Sequence, residues 1–186
     1  MLSEKPDIVG ARRCGRVGLP GFYRACMPSD PHDFTVGLPR KRMAAGLLIT
    51  DPQDRVLLVE PAYQAWWEIP GGCVEDGESP WQAVVRECRE ELGLDLTPGR
   101  LLVVDWVPAG DGRTDGVMLV FDGGALDAVR AQRIVVPPAE LKGWAWSDPP
   151  QARARLQPLL ARRVAECLQA RGDGVTRYLE DGVPVS

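Results

Sequence analysis

Residues Gly72 to Leu94 read GCVEDGESPWQAVVRECREELGL: a glycine turn, an acidic loop and a short helix whose limits follow from local chemistry. Ser79 is a natural N-cap, Pro80 suits the first helical position, and Gln82 completes a capping box. Gly93 supplies a left-handed stop. Between these bounds Glu87, Glu90 and Glu91 stand at i, i+3 and i+4, so their carboxylates share one face. Trp81, Val84, Val85, Cys88 and Leu92 form an apolar stripe expected to face a core.

Three carboxylates near a helix C-terminus repel one another and meet the negative end of the helix dipole. Something positive is expected there. Arg86 and Arg89 offset part of the charge. A hard divalent cation satisfies it better, since magnesium favours a few carboxylates plus waters and phosphate oxygens. The bland alternative is a solvated acidic helix face.

The spacing separates these readings. Five residues lie between Gly72 and Glu78, seven between Glu78 and Arg86, and one between Glu91 and Gly93-Leu94. With Arg86-Glu87-Cys88-Arg89-Glu90-Glu91 this pattern resembles the Nudix box, with Cys88 at a usually aliphatic site. The Trp67-Glu68-Ile69-Pro70-Gly71-Gly72 tract resembles the segment that precedes the box in many such proteins. The resemblance implies an α+β fold, an α/β/α sandwich around a mixed β-sheet, and Mg2+-dependent hydrolysis of a pyrophosphate bond in a nucleoside diphosphate linked to another moiety. Mn2+ is the alternative metal. It also implies that Glu87, Glu90, Glu91 and the Gly72 carbonyl bind the metal, while Glu78 pairs with Arg86 and braces the loop against the helix. The carboxylate that activates water differs within the family, and Glu87 is the first choice here. Homodimers are common in the family.

At 186 residues, 45% of them apolar, the chain has enough length for one substantial core. A net charge of -4 argues against a general nucleic-acid or membrane surface and favours small nucleotides or other diphosphates as partners. The N-terminus lacks an apolar signal core and no apolar run reaches membrane-spanning length, so a cytoplasmic location is expected. The five cysteines (Cys14, Cys26, Cys73, Cys88 and Cys167) are odd in number and contain no Cys-x-x-Cys pair, which predicts reduced thiols.

Residues 1–42 lack periodicity and read as an extension. Cys14, Cys26 and His32 do not have the spacing of a structural zinc site. Arg40-Lys41-Arg42 is a basic knot, either a phosphate contact or a solvated linker. Met43 to Thr50 and Arg55 to Glu60 are predicted strands of a hairpin, and the domain is expected to run from residue 43 to 148. Trp66 and Trp67 are candidates for stacking on a base, with core packing the competing role for one of them. Leu101 to Val107 and Val117 to Phe121 read as strands. The loop between them holds Asp111, Arg113 and Asp115, and Arg113 is a candidate substrate contact. Pro108 and the lack of a suitably placed tyrosine match neither the ADP-ribose nor the dinucleoside polyphosphate branch.

Gln132 to Val136 is predicted as a further strand ended by Pro137-Pro138. Glu140, beyond it, is a candidate substrate contact, ligand or base, with a surface glutamate as the plain alternative. Pro158 to Arg171 has helical spacing through Leu160, Val164, Cys167 and Leu168, with Gly172 as a stop. Residues 149–186 are thus expected as a helix and tail packed on the domain, with Thr176 to Leu179 strand-like. Two further functional classes fit the same residues: a nucleotide-binding regulator with little turnover, and a hydrolase of a non-nucleoside diphosphate.

Overall fold

The fold is organised by a strand that is apolar on both faces. In a computed structural model, which describes residues 38–110 and 112–185, this strand is β1, Arg42–Thr50. Leu47 and Ile49 point to one side and Leu48 to the other, and all three are fully buried. A strand covered on both faces reads as a continuous apolar run rather than an alternation, as this one does.

β1 is followed by β2 (Val56–Pro61), β3 (Gly71–Cys73), helix α1 (Pro80–Leu92), β4 (Leu101–Val107), β5 (Gly116–Ala125) and a single-turn α2 (Ala128–Ala131). β6 (Leu141–Ser147), α3 (Pro149–Arg155), α4 (Pro158–Asp173), β7 (Arg177–Glu180) and β8 (Val183–Pro184) complete the order. The strands form one mixed sheet in the order β6-β2-β1-β5-β4-β7-β8, with β3 paired to β1 off that path. Helix α1 covers one face, where Ala83, Val84, Cys88 and Leu92 pack on Leu47, Ile49, Leu57 and Val59. Helices α3 and α4 cover the other, where Ala152, Leu156, Val164 and Cys167 meet Leu48, Val56, Leu58, Leu102 and Val120. This is the expected α/β/α sandwich around a mixed sheet.

The predicted hairpin is present, but β1 and β2 pair only at Thr50↔Val56 before they diverge. The segment leading into β3 fills the gap. The Val59 and Glu68 amides bond each other's carbonyls at 2.9 and 3.0 Å, and Gly71, Gly72 and Cys73 pair antiparallel with Gly46, Ala45 and Ala44. The glycine pair is therefore a short strand rather than a tight turn. Gly71 has φ 142°, and a Cβ there would stand 2.2 Å from the Ala45 carbonyl oxygen. Gly71→Ala is expected to cost roughly 2 kcal/mol from backbone strain. That should lower the melting temperature by about 6 °C for a chain of this size. A thermal melt equal to the parent's would mean that β3 does not lie against β1.

Three sequence expectations change. Gln132 to Val136 forms no strand: the β2 edge is taken by β6, so Ile134 and Val136 pack singly on the α1-side core. The Val135 amide instead donates to the Leu92 carbonyl at 3.0 Å, satisfying the end of α1. Trp81 is 43% exposed and outside the core, whereas Ala83 and Val84 of the same helix are fully buried. Gly172 does not stop α4, which continues to Asp173 and ends at Gly174, the residue with the left-handed φ of 79°. The strand-like tail is β7, bound parallel to β4 from Val103↔Arg177 to Trp106↔Glu180. Cys14, Cys26, His32, the rest of residues 1–37 and Asp111 lie outside the described residues.

Candidate active site

Helix α1 starts where the side chains of Ser79 and Gln82 each cap the other's backbone amide, at 3.3 and 2.9 Å. Gly93 closes it with φ 65°. This fixes the rotation of the helix, so that Cys88 and Leu92 face the core while Glu87 and Glu91 face β3. The Gly71 amide donates to Glu91 Oε2 at 2.9 Å. A Cβ on Gly72 would stand 2.2 Å from Glu87 Oε1, so only a glycine allows that carboxylate to lie against the backbone. Glycine at this position thus serves close approach.

Arg86 ties the loop to the helix. Its Nε and Nη2 donate to the two oxygens of Glu78, both at 3.0 Å, in a bidentate fork. Nη2 also donates to the Cys73 carbonyl at 3.0 Å, and Nη1 donates to Glu87 at 2.9 Å and Glu90 at 3.1 Å. The fork holds the Glu78 carboxyl below its ordinary range, and its several carboxylate partners keep the guanidinium charged. Arg89, by contrast, turns to Asp95 at 2.7 Å.

Burial raises the Glu87 carboxyl, against the opposing pull of Arg86. Glu91 is pushed up to about 8: burial dominates, and Glu87, Glu68 and Glu140 add like charge. No cationic side chain among the described residues bonds it. Cys88, buried beside both glutamates, is pushed up to about 12 and stays a neutral thiol that packs.

The donor set fits a hard divalent cation in a particular way. Two carboxylates, Glu87 and Glu91, straddle a glycine backbone that can offer the Gly72 carbonyl, and Glu91 lacks a counter-charge. Magnesium is commonly held by one or two carboxylates, with waters and substrate phosphates completing its shell. Among the described residues no three Asp, Glu, Cys or His side chains converge as ligands. Glu90, expected as a third ligand, is the most exposed of the three glutamates and shares the Arg86 Nη1 donor with Glu87.

The raised Glu91 carboxyl gives a prediction for metal-free protein. The folded state retains this proton to about pH 8, whereas the unfolded chain releases it near the ordinary carboxyl value of 4.5. Between these values the unfolded state binds fewer protons, so stability falls as pH rises. Melting in EDTA should therefore show a decline from pH 5 to pH 8 that Glu91→Gln flattens. Equal slopes for the two proteins would show that Glu91 is not buried as described.

The remaining candidates lie elsewhere. A cleft beside the glycine pair is lined by Ala44 and Gly46 of β1, Glu68, Met118 and Val120 of β5, and Leu160 and Arg163 of α4. Neither Trp66 nor Trp67 lines it. Trp67 packs on the α3–α4 core under the Arg155 guanidinium, 4.6 Å from its ring centroid. Trp66 is 41% exposed over a separate depression that both tryptophans line with Ala154 and Arg155. Arg113 is exposed in the β4–β5 turn, where its amide and carbonyl pair with those of Gly110. Glu140 is exposed before β6, near enough to raise Glu91, and its carbonyl accepts from the Ala62 amide at 2.7 Å.

Three residues escaped the sequence reading: Glu68, Asp105 and Arg163. Asp105 carried a signal, a carboxylate inside the apolar run Leu101 to Val107. A buried charge requires a partner, and here the partner is Arg163 at 2.7 Å.

A family model for the NUDIX domain matches residues 40–168, running past Asp148 into α4. An 8-oxo-dGTP diphosphatase of Proteus vulgaris is 41% identical over 64 residues, 32% of this chain and 56% of that protein. An RNA pyrophosphohydrolase of Ectopseudomonas mendocina is 30% identical over 121 residues, 56% of this chain and 75% of that protein. The chain thus spans little more than half the length of the first of these. Among solved structures, a UDP-X diphosphatase superposes with TM-score 0.61 at 20% identity over 76% of this chain and 68% of its own. The MutT protein of Methanosarcina mazei Go1 gives 0.59 at 22% identity over 73% and 98%. These two share the fold. With the family model spanning most of the sequence and the box residues assembled around α1 and β3, the chain belongs to the Nudix family.

Proposed function

We propose that this protein hydrolyses a pyrophosphate bond in a nucleoside diphosphate linked to another moiety, with Mg2+ or Mn2+ held by Glu87, Glu91 and the Gly72 carbonyl. The observation that carries this reading is Glu91, a buried carboxylate without a cationic partner, hydrogen-bonded to the glycine strand beside Glu87. A bound divalent cation would offset the charge of the diphosphate there and raise the acidity of nearby water.

The chain's own residues supply the rest. Glu87, half-buried against Gly72, takes the proton from the attacking water in this reading. Water adds to one phosphorus, the bridging P–O bond breaks, and the second phosphate leaves with the electron pair. Arg86 keeps Glu87 oriented and, through Glu78, keeps the loop docked. Glu90, already paired with Arg86, steadies that guanidinium. The free cysteines Cys73, Cys88 and Cys167 suit a reducing, cytoplasmic compartment. Among the described residues no helix is long and apolar enough to cross a membrane.

The relatives named above act on unlike substrates, so what they share is the bond that is cut. The test is purified protein with Mg2+ or Mn2+ against a panel of nucleotide, sugar-linked and prenyl diphosphates, with products read as phosphate or nucleotide. Metal-dependent cleavage of nucleotides is expected. Cleavage of non-nucleoside diphosphates alone would move the substrate class. Tight nucleotide binding without any turnover would make the chain a regulator.

A further inference from the structure

The cleft next to the glycine pair contains an arginine whose donors are only partly used. Arg163 of α4 is 8% exposed and its Nε donates to the fully buried Asp105 at 2.7 Å. The other Asp105 oxygen accepts from the Gly182 amide at 3.0 Å, so the carboxylate is held from two sides. No acceptor among the described residues takes the Nη hydrogens, yet no buried side-chain nitrogen is left without a partner. Arg163 lines the cleft, so these Nη groups are the donors it can offer to a ligand there.

The walls limit what can enter. Ala44, Gly46, Met118, Val120 and Leu160 make an apolar slot of about 170 Å³. Pockets that enclose a whole small ligand are larger, about 300–1,000 Å³. The slot suits one flat ring, with the remainder of the ligand outside. Gly71 and Gly72 border both the slot and the Glu87–Glu91 pair, so the two are neighbours across the glycine strand.

Charge decides what the ring presents to Arg163. The Arg163–Asp105 pair is neutral as a unit and Glu68 adds negative charge at the border, so a phosphate meets no net attraction there. A neutral carbonyl oxygen accepts from the open donors without that cost, whereas an amino group would bring donor against donor.

Building on the hydrolase reading, we infer that Arg163 selects the base: the cleft takes rings with an exocyclic carbonyl at the edge facing Arg163, as in guanine, hypoxanthine and uracil. It excludes rings with an amino group at that edge, adenine and cytosine. Arg163 is thus a specificity-determining residue outside the Nudix box.

The test measures kcat/KM of the full chain with Mg2+ for dGTP, ITP and UTP against ATP and CTP. A preference for the oxo bases on the order of 10²-fold is expected for a site built around one hydrogen-bonded contact. In Asp105→Asn/Arg163→Gln the Gly182 contact persists and the open fork is gone. The preference, read as the ratio of oxo-base to amino-base kcat/KM, should fall to within about 3-fold. Ala44→Leu, which fills the slot and leaves the pair intact, should lower oxo-base turnover about 10-fold or more. Hydrolysis by the parent without base preference overturns the inference alone, as does an equal loss on every nucleotide in the double variant, which would put Arg163 on the phosphates. Unchanged turnover in Ala44→Leu also overturns it. Absence of any hydrolysis by the parent removes the hydrolase reading and this inference together.

Discussion

Glu91→Gln should fold as the parent does and turn over its diphosphate about 10³-fold more slowly, the loss typical of removing one essential carboxylate. Glutamine keeps the size of the side chain and can still accept from the Gly71 amide, whose bond at 2.9 Å ties α1 to β3. What it lacks is charge. The carboxylate it replaces is mostly buried and crowded by Glu87, Glu68 and Glu140, and no cationic side chain among the described residues bonds it. On the proposed reading, a divalent ion would complete that arrangement. Single-turnover rates at saturating Mg2+ are the check, and Glu91→Gln cleaving at the parental rate would remove the mechanism. Glu78→Gln tests a different link: it weakens the fork on Arg86 and leaves the carboxylates in place, so a smaller loss is expected.

The second large effect is expected from one methyl group. In Gly72→Ala the new Cβ would lie 2.2 Å from Glu87 Oε1 and 2.5 Å from Glu87 Cδ, so the carboxylate must swing away. The far end of a glutamate moves at little energetic cost, and no positive φ is imposed on the alanine, so the melting temperature should change little. Activity should fall about 10²-fold, as it does when a reacting group is displaced by an ångström or so. Paired with Gly71→Ala, where the obstacle is the backbone of Ala45, the two neighbours separate function from stability. A Gly72→Ala protein of parental activity would mean that Glu87 has no need to approach the backbone here.

What was legible in the sequence was what local chemistry determines. The limits of α1, its capping box and the common face of Glu87 and Glu91 depend on residues within a few positions of one another, and the spacing carried them. Partners distant in sequence were not legible. The insertion of Glu68 to Cys73 between the diverging β1 and β2 depends on pairing with residues far along the chain. Asp105 and Arg163, 58 positions apart, meet only because β4 and α4 pack together. Gln132 to Val136 ends in the β-branched run Ile134-Val135-Val136, a strand signal, but here Ile134 and Val136 pack on the core and the Val135 amide goes to the distant Leu92 carbonyl instead of a strand partner. The paired tryptophans share one composition signal but differ in burial, because Trp67 bridges to Leu156 and lies under the Arg155 guanidinium, contacts that close only when α3 packs on the sheet.

Manganese titration of the parent, Glu90→Gln and Glu87→Gln/Glu91→Gln, followed by water-proton relaxation, puts the question to the site itself. Binding by the parent should be largely retained in Glu90→Gln and lost in the double variant. Equal Mn2+ affinity in the parent and the double variant would contradict a metal site at these carboxylates.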